Sequence, residues 1–590
     1  MARSQTRLAA LIGALLLIPA AQAATIHWSA GGSGDFDVGA NWDSGTVPGS
    51  GDSAYINGST ASPPVITVDT AEHVYSLQVA TSSSSAAQVS VSGGSLTTDD
   101  SITLGSGSGS EGILSIDGAS SSVQAGSITN VGYGADGTLS VTGGGGFQGT
   151  GMFLGGSFPG GNGQLIVDGS GSQVDLTANL VVGETIGTGS AQVSNGGVVQ
   201  VGGSLRVAHD AFGGTSTLDI SGAGSQVAVT GQALLGFGGD AEVNITSGGN
   251  LTAANLVIAS DDGSDSTVTV GSSGSIDVTS QLTIGDSGAA ALVVDNGGSV
   301  STATGVLAEN HTTEGSNSAV LTINSGGSVS STGDWTVAAR NYDGTIDVNG
   351  GQFSTLGSVT LGQGSGFASN GEMILNGNAD VDIADTLLLE ETGILTMNSG
   401  RLTVDTLYFS NGSQFNFTGG ALEATTIDGD VANDAGRVEP GESPGILAIN
   451  GNYYQGANAV LEIEIGGTNQ GVDFDLLTVD GDLELGGTLE LMLIDAFIPP
   501  INTSFDILDW TGAITGTFDN VYSLGATWDL SQLYTDGIVT LVGYDDMGVA
   551  PANTGNYDAT GVPVPGSAWL LLAGLGLAPR LYRAAARTPL

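Results

Sequence analysis

One phrase, repeated at a near-constant interval, constrains this chain more than any other feature. It reads apolar-x-apolar, then a glycine-rich corner, then another apolar residue. Leu114-Ser-Ile116, Leu139-Ser-Val141, Leu165-Ile-Val167, Ala191-Gln-Val193 and Leu218-Asp-Ile220 carry it first. Val243-Asn-Ile245, Val268-Thr-Val270, Leu292-Val-Val294 and Leu321-Thr-Ile323 follow. Ile346-Asp-Val348, Met373-Ile-Leu375, Leu395-Thr-Met397 and Phe415-Asn-Phe417 complete it. Thirteen starts between residues 114 and 415 leave twelve intervals, a mean period of about 25 residues.

Two further apolar steps fall inside each period. One ends in glycine, as in Ile102-Thr-Leu104-Gly105, Leu180-Val-Val182-Gly183, Leu282-Thr-Ile284-Gly285 and Val359-Thr-Leu361-Gly362. The other follows the corner, as in Gln173-Val174-Asp175-Leu176 and Ser299-Val300. Apolar and polar residues alternate in these steps, which is the mark of strands with one buried face. A helical period is missing, and Gly/Ser/Thr/Asp clusters break every run. Three short strands per ~25 residues predict an all-β fold: a right-handed parallel β-helix, or solenoid. A propeller blade needs a period of ~40–45 residues instead. Glycine, 99 of 590 residues, supplies the corners.

The repeats run over 89–424. Before them, 24–88 holds Trp28, Asn41-Trp42, Gly45, Pro48, Gly51-Asp52 and Ala54-Tyr55-Ile56. This is read as an aromatic-rich cap with the first coils. It resembles the opening segment of large secreted β-helical proteins. After the repeats, 425–545 contains Pro440-Gly441-Glu442-Ser443-Pro444-Gly445, Leu461-Glu-Ile463-Glu-Ile465-Gly466-Gly467 and Gly486-Gly487-Thr-Leu489-Glu-Leu491. That order resembles the C-terminal end of autotransporter passenger β-helices, and implies a C-terminal β-helical region and cap. With about 45 residues left after it, an outer-membrane barrel is not expected. Residues 546–561 read as a linker.

Charge narrows the function. The chain has 59 acids, nine arginines and no lysine. Five arginines lie in the tails, so the body sets Arg206, Arg340, Arg401 and Arg437 against all 59 acids, a formal charge of −55. Such a surface repels nucleic acid. It permits non-specific divalent-cation binding, and no cofactor is expected. Cysteine is absent, which removes disulfides and thiolate chemistry.

The ends read as addresses. Residues 1–23 have a basic start at Arg3 and Arg7, an apolar run from Leu8 to Ile18, and a small-x-small site at Ala21-Gln22-Ala23. These predict a signal peptide cut after Ala23. Residues 562–590 open on Val562-Pro563-Val564-Pro565. An apolar segment, 567–579, and a basic tail, 580–590 with Arg580, Arg583 and Arg587, complete them. The arrangement resembles the PEP-CTERM sorting signal of Gram-negative bacteria, in its V-P-L-P-A-type variant. The resemblance implies a hydrophobic sorting helix, transient anchoring in the inner membrane and an exosortase-type processing enzyme as partner. Delivery to the cell surface or extracellular matrix would follow.

Chemistry is sparsely signalled. Arg206, Arg340 and Arg401 are the candidate bases for a polysaccharide lyase, but read more simply as cations balancing acids on a solvated surface. Asp99-Asp100, Asp261-Asp262, Glu390-Glu391 and Asp545-Asp546 read as turn residues rather than a hydrolase pair. His27, His73, His209 and His311 do not cluster at metal-ligand spacing. Gly31-Gly-Ser-Gly-Asp35-Phe-Asp37 is a single nonapeptide-like stretch, where calcium β-rolls need several in tandem. The expectation is an exported, non-catalytic, adhesin-like or exopolysaccharide-matrix protein with no catalytic, cofactor or metal residues. Exopolysaccharide or cell-surface glycans are its expected partners. A glycan-active or glycan-binding β-helix protein is the alternative.

Overall fold

The computed structural model describes residues 23–156, 160–210, 214–261, 263–309, 318–338, 342–363, 369–441 and 444–544. The expected signal sequence before Ala23, the linker and the expected sorting signal lie outside them. So do Asp262, His311, Arg340, Glu442, Ser443, Asp545 and Asp546. The described chain up to Leu524, with Trp528–Val542, forms one compact unit; Gly525–Thr527 and the residues from Gly543 belong to a second.

The first unit is a parallel β-solenoid of about 18 turns with coils of ~25 residues. Most coils contribute one strand to each of three parallel sheets. Sheet 1 stacks twenty strands, from Gly34–Asp35 to Ile514–Gly516. Sheet 2 runs from Ala71–Val74 to Asn520–Ser523, and sheet 3 from Ala24–His27 to Leu508–Trp510. All thirteen apolar-x-apolar starts fall in sheet 1. They stack without slippage: Leu114, Leu139, Leu165, Ala191, Leu218 and Val243 occupy one position on six successive coils. The glycine-ended step belongs to sheet 3, and the step after the corner to sheet 2.

The alternation read in the sequence is the pleat itself. In Asp343–Asn349 the buried residues are Gly344, Ile346 and Val348. A one-residue slip would expose all of them, so the inward stripe fixes the register. Sheets 2 and 3 are not separated in every coil. Gln226–Leu235, Asn250–Ile258, Asp380–Leu389, Arg401–Phe409 and Ala421–Asp428 run through both without a break. A register shift between Val229 and Gln232 marks where such a strand bends.

The corner after sheet 3 adopts positive φ in twelve successive coils, from Ala80 to Gly362. Glycine is the residue expected at these corners, yet five carry alanine, among them Ala208, Ala259 and Ala308 at φ 55–57°. An L-residue there is strained by about 1–2 kcal/mol, so the coil stack imposes the conformation. At Gly105 alanine is excluded, because a Cβ would stand 2.0 Å from the Asp136 carbonyl oxygen. The connection leaving this corner is also where coils differ in length. Four residues intervene between Val131 and Asp136, and ten between Leu307 and Ser318.

On the first rungs three aromatic side chains pack together. Trp28 and Trp42 meet edge-to-face at 5.1 Å, Phe36 meets Trp42 at 4.8 Å, and all three are buried. Trp42 Nε1–H donates to the Phe36 carbonyl at 2.8 Å. At the far end Ser504–Asp506 pairs antiparallel with Ile538, Val539 and Thr540. Leu533–Asp536 is the sole α-helical turn among the described residues.

Candidate functional surface

Outward side chains of a parallel stack form columns, one residue per rung. The main column of sheet 2 begins with Thr97, Gln124, Gln148, Asp175 and Gln200. Asp277, Ser301, Ser330 and Ser354 continue it. Hydrogen bonds climb from rung to rung along its edge. Gln226 Nε2 donates to Asn250 Oδ1 at 3.3 Å, and Asn250 Nδ2 donates to Asp277 Oδ2 at 2.8 Å. Ser301 Oγ donates to Asp277 Oδ1 at 2.8 Å. On sheet 1, Asp168 accepts from Ser194 Oγ at 2.6 Å and Asn195 Nδ2 at 2.7 Å, and these bonds hold its carboxyl below the usual range.

A buried serine locks alternate corners. Ser121, Ser172 and Ser225 each donate Oγ–H to a carbonyl four residues back, of Asp117, Asp168 and Ser221, at 2.5–2.7 Å. Each accepts an N–H from the preceding coil, from Gly93, Gly144 and Gly196, at 2.8–3.0 Å. The three serines recur every 51 and 53 residues. The repeating unit over this stretch is therefore a pair of coils.

Past Arg401 the sheet 2 column changes character. Glu423, Glu439, Glu462 and Glu490 succeed one another on four rungs. Arg401 Nη1 reaches Glu423 at 3.0 Å and Glu439 at 2.5 Å, and its Nη2 reaches Glu439 at 3.1 Å. Arg437 bonds Glu462, and reaches Glu490 at 2.6 Å. Burial opposes both guanidinium charges, but the glutamates outweigh it, and both pKa values are raised. Burial, Glu439, Glu464 and Glu490 push the Glu462 carboxyl up, against the opposing pull of Arg437.

The other candidates stay apart. Arg206 is half-buried on sheet 3, 3.0 Å from His209 Nε2 and 5.4 Å above the Phe237 ring. His209, stacked on that ring, is pushed down by burial and by Arg206. His73 pairs with Asp99 at 2.9 Å on the surface, and His27 packs on Tyr55 at 5.3 Å. Asp261 and Glu391 are exposed, and Glu390 accepts from Ser410. Asp35 and Asp37 are exposed on their turn. Among the described residues no group of three His, Asp or Glu side chains is placed to hold a metal ion. Ala23 is half-buried, directly before the first strand. Ala21, Val562, Pro563, Val564, Pro565, Arg580, Arg583 and Arg587 lie outside the described residues. No known protein family and no curated protein matches the chain.

Reading coil by coil would have revealed the ion ladders. Arg401, Glu423 and Glu439 lie 22 and 38 residues apart, one and two coils on. The mean period hid them because the coils shorten there.

Proposed function

We propose that this chain is an exported, non-catalytic structural protein of the cell surface or exopolysaccharide matrix, adhesin-like in presenting long polar surfaces. Its coil would be right-handed, and residues 562–590 would act as an exosortase-type sorting signal with a short hydrophobic helix. The observation that carries the reading is how the described body arginines are used. Arg401 and Arg437 are each committed to two glutamates, and Arg206 to His209 and Phe237. A lyase base must be within reach of a substrate proton. Side chains spent on rung-to-rung ties suit a load-bearing column better.

In this reading the signal peptide delivers the body to the periplasm. Arg580, Arg583 and Arg587 hold the tail on the cytoplasmic side, because arginine crosses lipid at a cost of several kcal/mol. Cleavage near Val562–Pro565 then frees the body. The test uses a tagged pair in the native host, the full chain and a chain ending at Gly561. The full chain should be membrane-held first and shortened at its C-terminus later, and the shorter chain should enter the soluble periplasm directly. Surface protein still carrying Arg580 to Leu590 would overturn processing.

A further inference from the structure

Sheet 3 carries an outward column of different chemistry. Tyr55, Gln78, Thr103, Asn130 and Phe153 hold one position on five successive coils. Their neighbours along each strand are buried, among them Ile56, Leu77, Leu104, Val131 and Met152, so the pleat turns these five outward. At the next rung the column closes over: Val181 is only 3% exposed, Arg206 follows it with its guanidinium over the Phe237 ring, and Leu234 and Val257 beyond are 7% and 8% exposed. Above Gln78, Thr103 and Asn130 the surface is instead a groove of about 620 Å³, walled by Ser106, Ser108, Tyr133 and Gly134.

The lining is amide, hydroxyl, phenol and backbone, without a charged side chain among the described residues. On a chain of net charge −50 that composition selects a ligand. No carboxylate stands there to hold a cation, no arginine to hold an anion, and the surrounding field repels anions. Two amides and three hydroxyls offer donors and acceptors together. Tyr55 and Phe153 at the two ends, and Tyr133 on the wall, offer flat apolar surfaces with polar edges nearby. A neutral sugar chain has the matching pattern, hydroxyls around each ring and apolar C–H faces. Five rungs at ~4.8 Å span about 19 Å, room for a short run of sugar units parallel to the coil stack.

We propose that this groove over Gln78, Thr103 and Asn130, with Tyr55 and Phe153 on the adjoining rungs, binds a strand of neutral polysaccharide. The proposal deepens the matrix reading and rests on it for the ligand's source, but the two fail separately. A chain that binds and keeps its tail contradicts only processing; a chain that is processed and does not bind contradicts only the groove. The test is affinity electrophoresis of the full chain in mild detergent, with a soluble neutral glucan or galactomannan in the gel and polygalacturonate as the anionic probe. At least one neutral polysaccharide should retard the protein, and polygalacturonate should not. Gln78→Ala with Asn130→Ala should weaken retardation roughly tenfold, two hydrogen bonds being lost. Thr103→Glu, which puts charge in the groove without removing core contacts, should abolish it. Thr336→Ala with Thr360→Ala, further along the same column, should change nothing. No retardation by either neutral probe, retardation by polygalacturonate alone, or undiminished binding in the Thr103→Glu variant would overturn the proposal.

Discussion

The coils from Ala86 to Asn376 and those from Asp380 to Ser523 build the same column of sheet 2 by different means. In the first stretch Gln, Thr, Ser and a few Asp residues pass hydrogen bonds from rung to rung, as Gln226, Asn250, Asp277 and Ser301 do. Apart from the Asp residues these groups are neutral, and Gln226, Asn250, Asp277 and Ser301 are only half-buried, so little charge is desolvated. In the second stretch four glutamates stand in line, and two arginines bridge three rungs each. Glu439 is 3% exposed there. The interior differs likewise. Asn433, Tyr453 and Gln455 form a buried network, with Asn433 Nδ2 3.3 Å and Gln455 Oε1 3.0 Å from the Tyr453 hydroxyl. A parallel stack thus tolerates either neutral or ionic rungs, but ionic rungs fail badly when the shared arginine is removed.

Arg437→Met should break the comparison most severely. It leaves Glu462 and Glu490 facing each other, partly buried and unneutralised, at a cost of about 3 kcal/mol. Adding Glu462→Gln and Glu490→Gln should recover most of that loss, read as thermal unfolding midpoints. If the triple variant is no more stable than Arg437→Met, the charges are not the cause. In the neutral stretch the equivalent break is Ser172→Ala. It orphans the Gly144 N–H and the Asp168 carbonyl, for about 2 kcal/mol. Urea unfolding that leaves this variant unchanged would remove the serine from the account.

The smallest effect sharpens the contrast through pH. The folded Glu462 carboxyl is raised above its ordinary 4.5, so the folded state holds that proton more tightly than the unfolded chain. Its ionisation therefore costs stability above the folded pKa, and that cost is absent below 4.5. Glu462→Gln should raise the midpoint slightly at pH 7, with the gain gone by pH 4. A gain that persists or grows in acid contradicts the assignment.

Most of the stack was legible in the sequence because one residue type at one spacing decides it. The inward Leu, Ile and Val residues of sheet 1 are spaced by the coil, and each marks its own rung. The corners were half legible. Glycine at Gly105 is required by the Asp136 carbonyl, but Ala259 holds the same conformation because neighbouring coils impose it. The two-coil alternation of Ser121, Ser172 and Ser225 hides among many serines. The ion ladders and the sheet 3 groove depend on lateral register, in which residues 22 to 53 apart become neighbours. A sequence read only for its mean period does not show that register.

Hydrogen exchange read by mass spectrometry on Arg437→Met and on Ser172→Ala tests the central claim most directly. That claim is that each stretch is held locally by its own kind of rung. In a solenoid each coil couples mainly to its neighbours. Arg437→Met should lose protection in Arg437–Pro440, Val460–Ile465 and Thr488–Leu493, and keep it in Gln173–Leu176 and Val198–Val201. Ser172→Ala should show the reverse. Loss of protection spread evenly over both stretches in either variant would contradict the account.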